Sequence, residues 1–243
     1  MQLHILGSGS KGNCYILDSD SGALVIDAGV PFVEVKQALG FDISRIAGVI
    51  VSHEHKDHAG RVFEALDTRL SVYMTQGTAE AVGCDTGYLS VNIVEPMQAH
   101  QIGSFRVMPF DVRHDAAEPV GFLIEHKESG RVLFATDTKY IPYTFKDLSQ
   151  ILIEANYRGD LLNDRLPNAV RNRIIDSHMS LDTCIEALRA NDLTTVQNIV
   201  LLHLSDGNSH AQEFVSAVKS ATGVDVVCAA EKGMRIGLNE LPF

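Results

Sequence analysis

The run HEHKDH places His53, His55, Asp57 and His58 within six residues. Three imidazoles and an aspartate packed this closely would be wasteful on a surface and costly if buried unpaired. Their nitrogen and oxygen donors, with no thiolate among them, suit zinc or a neighbouring first-row divalent ion. The spacing cannot put all four side chains on one face of a helix, but a strand-end loop can aim the first pair one way and the second pair another. That arrangement suits two adjacent ions, ~3.5–4 Å apart, which together can clamp a transferring phosphoryl or acyl group.

The elements that must hold these residues are visible as apolar runs. ALVI leads into Asp27, AGVIVS into His53, VLFAT into Asp137, ILI into Glu154 and IVLL into His203. Five strand ends in Asp, Glu or His imply one shared edge of the fold on which a site is assembled. Leu3 to Leu6, Cys14 to Leu17 and Ala23 to Ile26 read as short strands punctuated by GSGSKGN, a cluster typical of a tight turn. Helices are expected over Val33 to Leu39 and Ala59 to Leu66, with strands at Ile46 to Val51 and Leu70 to Met74. Strands follow at Phe105 to Val112, Val120 to Glu125 and Val132 to Ala135. The last third alternates strands (Ile151 to Ile153, Val196 to Leu202, Val224 to Cys228, Met234 to Leu238) with helices, one capped by Ser180 and one opened by a Ser209/Gln212 capping box. No repeat or long linker divides the chain. The expectation is a single domain over residues 1–243, of mixed α/β (α+β) class, with two packed mixed sheets flanked by helices.

Composition narrows the chemistry. Hydrophobic residues make up 45% and charged residues 21%, the proportions of a folded chain. The net charge of −11 excludes a broad basic surface, so any nucleic-acid contact is local. Arg158, Arg165, Arg171 and Arg173 against Asp160 and Asp164 form one local cationic excess, with Arg171 and Arg173 as candidate phosphate contacts. Cys14, Cys84, Cys184 and Cys228 lie far apart and read as reduced, packed thiols. With no membrane span and no basic then apolar opening, the expected location is the cytoplasm.

With HEHKDH following VIDAG, the sequence resembles the HxHxDH hydrolases of the metallo-β-lactamase fold. LGSGSKGNCY, HDAAEPVGF, FATDT, EAN, SHMS and LLHLSDGN extend the resemblance over nearly the whole chain, to the WalJ/YycJ-type branch, itself similar to ribonuclease Z and the β-CASP nucleases. The resemblance implies an αβ/βα sandwich with two divalent ions, zinc favoured over manganese. His53, His55 and His114 would hold one ion, Asp57, His58 and His203 the other, and Asp137 would bridge. Asp27 would support the site from behind the ligands, orienting an imidazole. His178, Glu154 and Asp57 form the implied catalytic group, His178 contacting the scissile phosphate with Glu154 beside it. The sequence departs from the family at Ser177 and Leu181, where Gly and Asn are usual. A helix N-terminus begins beside His178 at Ser180, a favourable place for a phosphate. The implied activity is phosphodiester hydrolysis on nucleic acid, DNA rather than RNA, as a 5′-to-3′ exonuclease. A small-molecule hydrolase of the same fold, acting on a thioester, lactone or cyclic phosphate, is one alternative; a catalytically silent regulatory protein is another. His4, His100, His126 and His210 match no motif and read as structural or surface residues.

Overall fold

The computed structural model describes residues 1–84, 89–162 and 167–238. Along these residues run β1 (Gln2–Gly7), β2 (Cys14–Ser19), β3 (Gly22–Ile26), α1 (Phe32–Ala38), β4 (Ile46–Ile50), α2 (Lys56–Ala59), α3 (Val62–Leu66), β5 (Val72–Met74), α4 (Gln76–Val82) and β6 (Val91–Ile93). They continue with β7 (His100–Ile102), β8 (Phe105–Asp111), β9 (Val120–His126), β10 (Gly130–Ala135), β11 (Leu148–Glu154), α5 (Asn168–Ser177), α6 (Leu181–Arg189), β12 (Asn198–Leu202), α7 (Ala211–Thr222), β13 (Val226–Ala229) and β14 (Arg235–Gly237).

The strands form two mixed sheets, ordered β14-β1-β2-β3-β4-β5-β6 and β13-β12-β11-β10-β9-β8-β7. Each is antiparallel at one end and parallel at the other, the parallel runs being β3-β4-β5-β6 and β10-β11-β12-β13. Alternation along the pleat decides which residues meet between the sheets. Leu3, Ile5, Tyr15, Leu17 and Ile26 of the first sheet pack with Phe122, Ile124, Phe134, Leu152 and Val200 of the second. The opposite faces are covered by helices. Ile16, Val25 and Val49 lie under Phe32, Val35 and Val62 of α1 and α3. Leu133, Ile151 and Ile199 lie under Leu181, Leu188 and Phe214 of α6 and α7. This is the expected αβ/βα sandwich. Strands covered on both faces, such as β3, β11 and β12, are buried at every residue, which is why they read as unbroken apolar runs.

Two helix starts differ from expectation. The helix expected over Ala59 to Leu66 is two helices, α2 and α3, because the backbone leaves helical angles at Arg61, φ −120° and ψ 15°, whose amide bonds the Ala28 carbonyl at 2.8 Å instead. The Ser209 capping box does not form: the Ser209 hydroxyl donates to the Ser205 carbonyl at 2.8 Å, and α7 starts after His210 without a side-chain cap. The Ser180 cap does form, its oxygen accepting from the Thr183 amide at 3.1 Å.

Candidate metal centre

The parallel pairings bring the reactive strand ends together. Ile26 of β3 pairs with Ile50 of β4, so Asp27 and the following HEHKDH segment leave the first sheet side by side. Ala135 pairs with Ile153, and Glu154 with Leu202, so Asp137, Glu154 and His203 leave the second sheet at the same edge. Asp27, Asp137 and His203 take left-handed backbone angles, φ of 62°, 46° and 52°. Such residues store on the order of 1–3 kcal/mol each, a cost that persists where surrounding structure fixes them. Here the Asp27 amide is held by the Ile50 carbonyl at 2.8 Å and the His203 amide by Ser8 Oγ at 3.0 Å.

The HEHKDH run divides as its spacing requires, although by a loop and a helix rather than a loop alone. His53 and His55 sit on the loop after β4, and Asp57 and His58 on the single turn of α2. The lone pairs of His53, His55 and His114 converge: His55 Nδ1 lies 3.1 Å from both His53 Nε2 and His114 Nε2. His114 Nδ1 donates to the Ser177 carbonyl at 2.8 Å, leaving Nε2 for that cluster. Beside it, one ligand atom from each of Asp57, His58, Asp137 and His203 lies within 4.8 Å of the others. Asp137 Oδ2 is 3.3 Å from His58 Nε2 and 3.6 Å from His114 Nε2, so this carboxylate lies between the two groups. The donor set fits a pair of cations. Three nitrogens facing one another have no proton arrangement that satisfies all, and His203 Nε2 is buried with no hydrogen-bond partner, 3.8 Å from Asp57 Oδ2.

Electrostatics agree at His53, His114 and Asp137, whereas His58, although burial opposes its charge, is held well above its ordinary pKa by Asp137 and Asp27 and so keeps a proton that a bound cation would displace. Burial, reinforced by His58, keeps His53 well below its ordinary pKa and so neutral, the form that ligates. Burial also lowers His114. Asp137, although burial opposes its charge, is held well below the carboxylate range by His203 and His58. Asp27 is fully buried and touches no member of the cluster except His58, whose Nδ1 donates to it at 2.8 Å. Ser52 donates to it with both its amide, at 2.8 Å, and its hydroxyl, at 3.1 Å. This fixes the tautomer that leaves His58 Nε2 facing Asp137.

His178 and Glu154 form a second group. His178 Nδ1 lies 2.6 Å from Glu154 Oε1, and Glu154 Oε2 accepts from the Thr138 and Met179 amides at 2.7 and 3.1 Å. Burial works against a charged His178, yet the Glu154 carboxylate carries its pKa up to about 9. The helix N-terminus beside it is less open than the sequence implies, because the Leu181 amide bonds the Tyr157 carbonyl and the Thr183 amide bonds Ser180. Instead His178 closes the C-terminus of α5, whose dipole favours a protonated imidazole.

Several positioning residues carry weak sequence signals. The glycine loop is more than a turn: the Asn13 amide and its Nδ2 both donate to the Asp57 carbonyl, at 2.7 and 3.3 Å. Gly29 presses on the same peptide, where a Cβ would meet Asp57 O at 1.8 Å. Glu54 Oε1 accepts from the Ala117 amide at 2.8 Å, tying the His53–His55 loop to the His114 loop. Asn156 Nδ2 donates to the His203 carbonyl at 2.8 Å. Of the arginines, Arg158 is held by Asp160 and Glu213 at 2.6 and 2.8 Å, and Arg173 by Asp115 at 2.7 Å. Arg165 and Asp164 lie outside the described residues. A cleft of about 550 Å³ opens over His178 and His203, walled by Gly7–Gly12 on one side and residues 204–207 on the other, with Lys11 and Lys232 at its rim.

A family model described as the beta-lactamase superfamily domain matches residues 23–204. The chain belongs to that family. It is 30% identical to Exodeoxyribonuclease YycJ of Bacillus anthracis over 226 residues, 86% of this chain and 85% of the relative. It is 26% identical to Exodeoxyribonuclease WalJ of Streptococcus pneumoniae over 250 residues, 96% and 90% of the two chains. Among solved structures, the metallo-beta-lactamase fold protein YhfI of Bacillus subtilis superposes with a TM-score of 0.77 at 16% identity, covering 97% of this chain and 98% of that one. Human tRNase Z, short form, superposes with a TM-score of 0.68 at 15% identity, covering 100% of both. Family, fold and the His/Asp cluster identify a metal-dependent hydrolase.

Proposed function

We propose that this member of the beta-lactamase superfamily domain family is a binuclear phosphodiesterase acting on nucleic acid, a 5′-to-3′ DNA exonuclease whose whole chain is one catalytic domain. The relatives named exodeoxyribonucleases, similar over most of the chain, support DNA over RNA. The observation that carries the reading is the His178–Glu154 pair beside the ligand cluster, with His178 and His203 lining the cleft and Glu154 buried behind them. A thioester releases a thiolate that departs without a proton, whereas an alkoxide leaving from phosphorus needs one.

His53, His55 and His114 would hold one ion and Asp57, His58 and His203 the other, with Asp137 shared; the all-nitrogen-and-oxygen set favours zinc, then manganese. Bound there, the ions supply charge stabilisation at phosphorus and a water acidic enough to be a nucleophile at neutral pH. Asp57 completes its ligand set and, through its carbonyl, is fixed by Asn13. Glu154 holds His178 by Nδ1 and keeps it protonated, so that Nε2 contacts the scissile phosphate and gives its proton to the leaving oxygen. Arg171 and Arg173, seven and five residues before His178 on α5, add phosphate contacts beyond the cleft. No helix among the described residues is long and apolar enough to cross a membrane, and four free thiols, of which Cys14, Cys84 and Cys184 are buried, suit a reducing compartment, which supports the cytoplasm as the place of action.

The test is a panel with zinc or manganese: bis(p-nitrophenyl) phosphate, a thioester, a lactone, and end-labelled single- and double-stranded DNA and RNA. The expected outcome is phosphodiester turnover, with DNA shortened from its 5′ end. Turnover of the thioester or lactone alone would reject the reading.

A further inference from the structure

A second cavity, of about 300 Å³, adjoins the first. Leu6 and Lys232 line both, so the two meet at the end of β1. One wall is α1, through Glu34 and Gln37, and the other is β14, through Arg235. The floor holds His4, which pairs in register with Arg235 across the antiparallel β1–β14 ladder and shares the face of Leu6, two residues on. His4 is 5% exposed, its Nε2 lies 3.6 Å from Asp18 Oδ2, and its Nδ1 has no hydrogen-bond partner among the described residues, an unusual state for a buried imidazole nitrogen. Among the described residues no carboxylate pairs with Arg235, which is exposed. Among the described residues Lys11 pairs with exposed Asp206 at 3.6 Å, a contact that a phosphate can displace at little cost, and Lys232, itself exposed, pairs with half-buried Glu34 at 2.7 Å.

We infer that the two cavities are one track for a polynucleotide strand. The scissile phosphate sits over His178 and His203, the strand passes Lys11, Leu6 and Lys232, and a further phosphate and base are taken by Arg235, His4 and Gln37. The inference rests on the phosphodiesterase reading and adds what that reading lacks, the place where a long substrate is gripped. In a chain of net charge −11 these three cations, against Glu34 and Asp206, line the two adjoining cavities, Lys232 lining both. Counting three residues back along β1 from Gly7, the His4–Arg235 end lies ~10 Å from the catalytic cleft. Only substrates longer than a minimal phosphodiester reach it.

The test compares oligonucleotides of about 4–16 nucleotides, the footprint range of single-strand grooves, with bis(p-nitrophenyl) phosphate. For Arg235→Glu, the ratio of oligonucleotide to small-substrate kcat/KM should fall by about 10-fold through KM, and the salt dependence of binding should flatten by about 0.7 in log–log slope. Arg235→Gln, milder for the β14 edge, should move the ratio the same way by less. Glu34→Gln, which frees Lys232, should raise it. Metal content and circular dichroism of each variant report the fold. An unchanged ratio in both Arg235 variants, or a fall in Glu34→Gln matching that in Arg235→Glu, overturns the track while leaving the phosphodiesterase reading intact. A wild-type protein that turns over neither phosphodiester overturns both.

Discussion

His178 is the side chain on which phosphodiester rather than acyl chemistry turns. If it gives its proton to the leaving oxygen from outside the ligand set, His178→Ala should keep its metal and lower DNA turnover by ~10²–10⁴, the scale of a lost general acid. A p-nitrophenolate departs with little help, so bis(p-nitrophenyl) phosphate should suffer much less, and equal defects on the two substrates would make His178 a positioning residue. Asp27 acts one step further back, directly on His58 and through the Ser52 hydroxyl, which lies 3.0 Å from His53 Nδ1. Asp27→Asn preserves its shape but replaces a charged acceptor with a neutral one, and should weaken metal affinity by about 10–100-fold; competition with a chromogenic chelator reads this directly. Asp137→Ala removes the carboxylate between the two groups and should lose at least one equivalent of metal by elemental analysis, whereas a single ion retained by both wild type and variant would exclude the binuclear centre.

At the scale of elements, the ligands are placed by backbone contacts between loops. Gly29 has an ordinary φ, so its substitution tests sterics alone: Gly29→Ala drives a methyl into the Asp57 carbonyl, 1.8 Å away, and must displace α2. It should cost metal at the Asp57/His58 side, while Gly207→Ala, with nothing within 4 Å of its would-be Cβ, should fold and bind metal as wild type. On α5, reversing Arg171 and Arg173 to Glu should weaken long oligonucleotides more than bis(p-nitrophenyl) phosphate, and equal losses would mark both as supports of the Asp115–His114 segment, to which Arg173 is bonded. These elements differ in how plainly they are written. Strands β3, β11 and β12 are legible because burial on both faces leaves a continuous apolar run, and the residue ending each run is legible because only a site edge collects so many ionisable groups. α5 is not, since NAVRNRIIDS buries only Ser177 and so has no apolar stripe to betray its period. β6 and β7 are three-residue strands, too short for alternation to register. The role of Asn13 is hidden for another reason: GSGSKGN reads as a turn from composition, and its clamp on Asp57 is a contact across 44 residues that no local pattern encodes.

For the molecule as a whole, the site is the seam between the sheets. His53, His55, Asp57 and His58 follow strands of the first sheet, and His114, Asp137 and His203 follow strands of the second. The apolar layer between Tyr15, Ile26, Phe122 and Phe134 joins the sheets below this edge, but at the edge itself the facing groups are imidazoles and carboxylates that hold together poorly on their own. Ions shared between the two sides, as proposed, would cross-link the halves of the sandwich and would bind only the folded state, in which those donors converge. At a thousandfold excess over the dissociation constant, each site adds about 4 kcal/mol. For a chain of this size that corresponds to a rise of about 8–16 °C in Tm. Removal of metal by chelation should thus lower Tm by at least that increment, and restoring zinc or manganese should return it. Asp137→Ala should show a much smaller difference between the two conditions, because its carboxylate serves both sides of the seam. A Tm indifferent to chelation in the wild type would mean that no ion bridges the sheets, and the ligand assignment would fall with it.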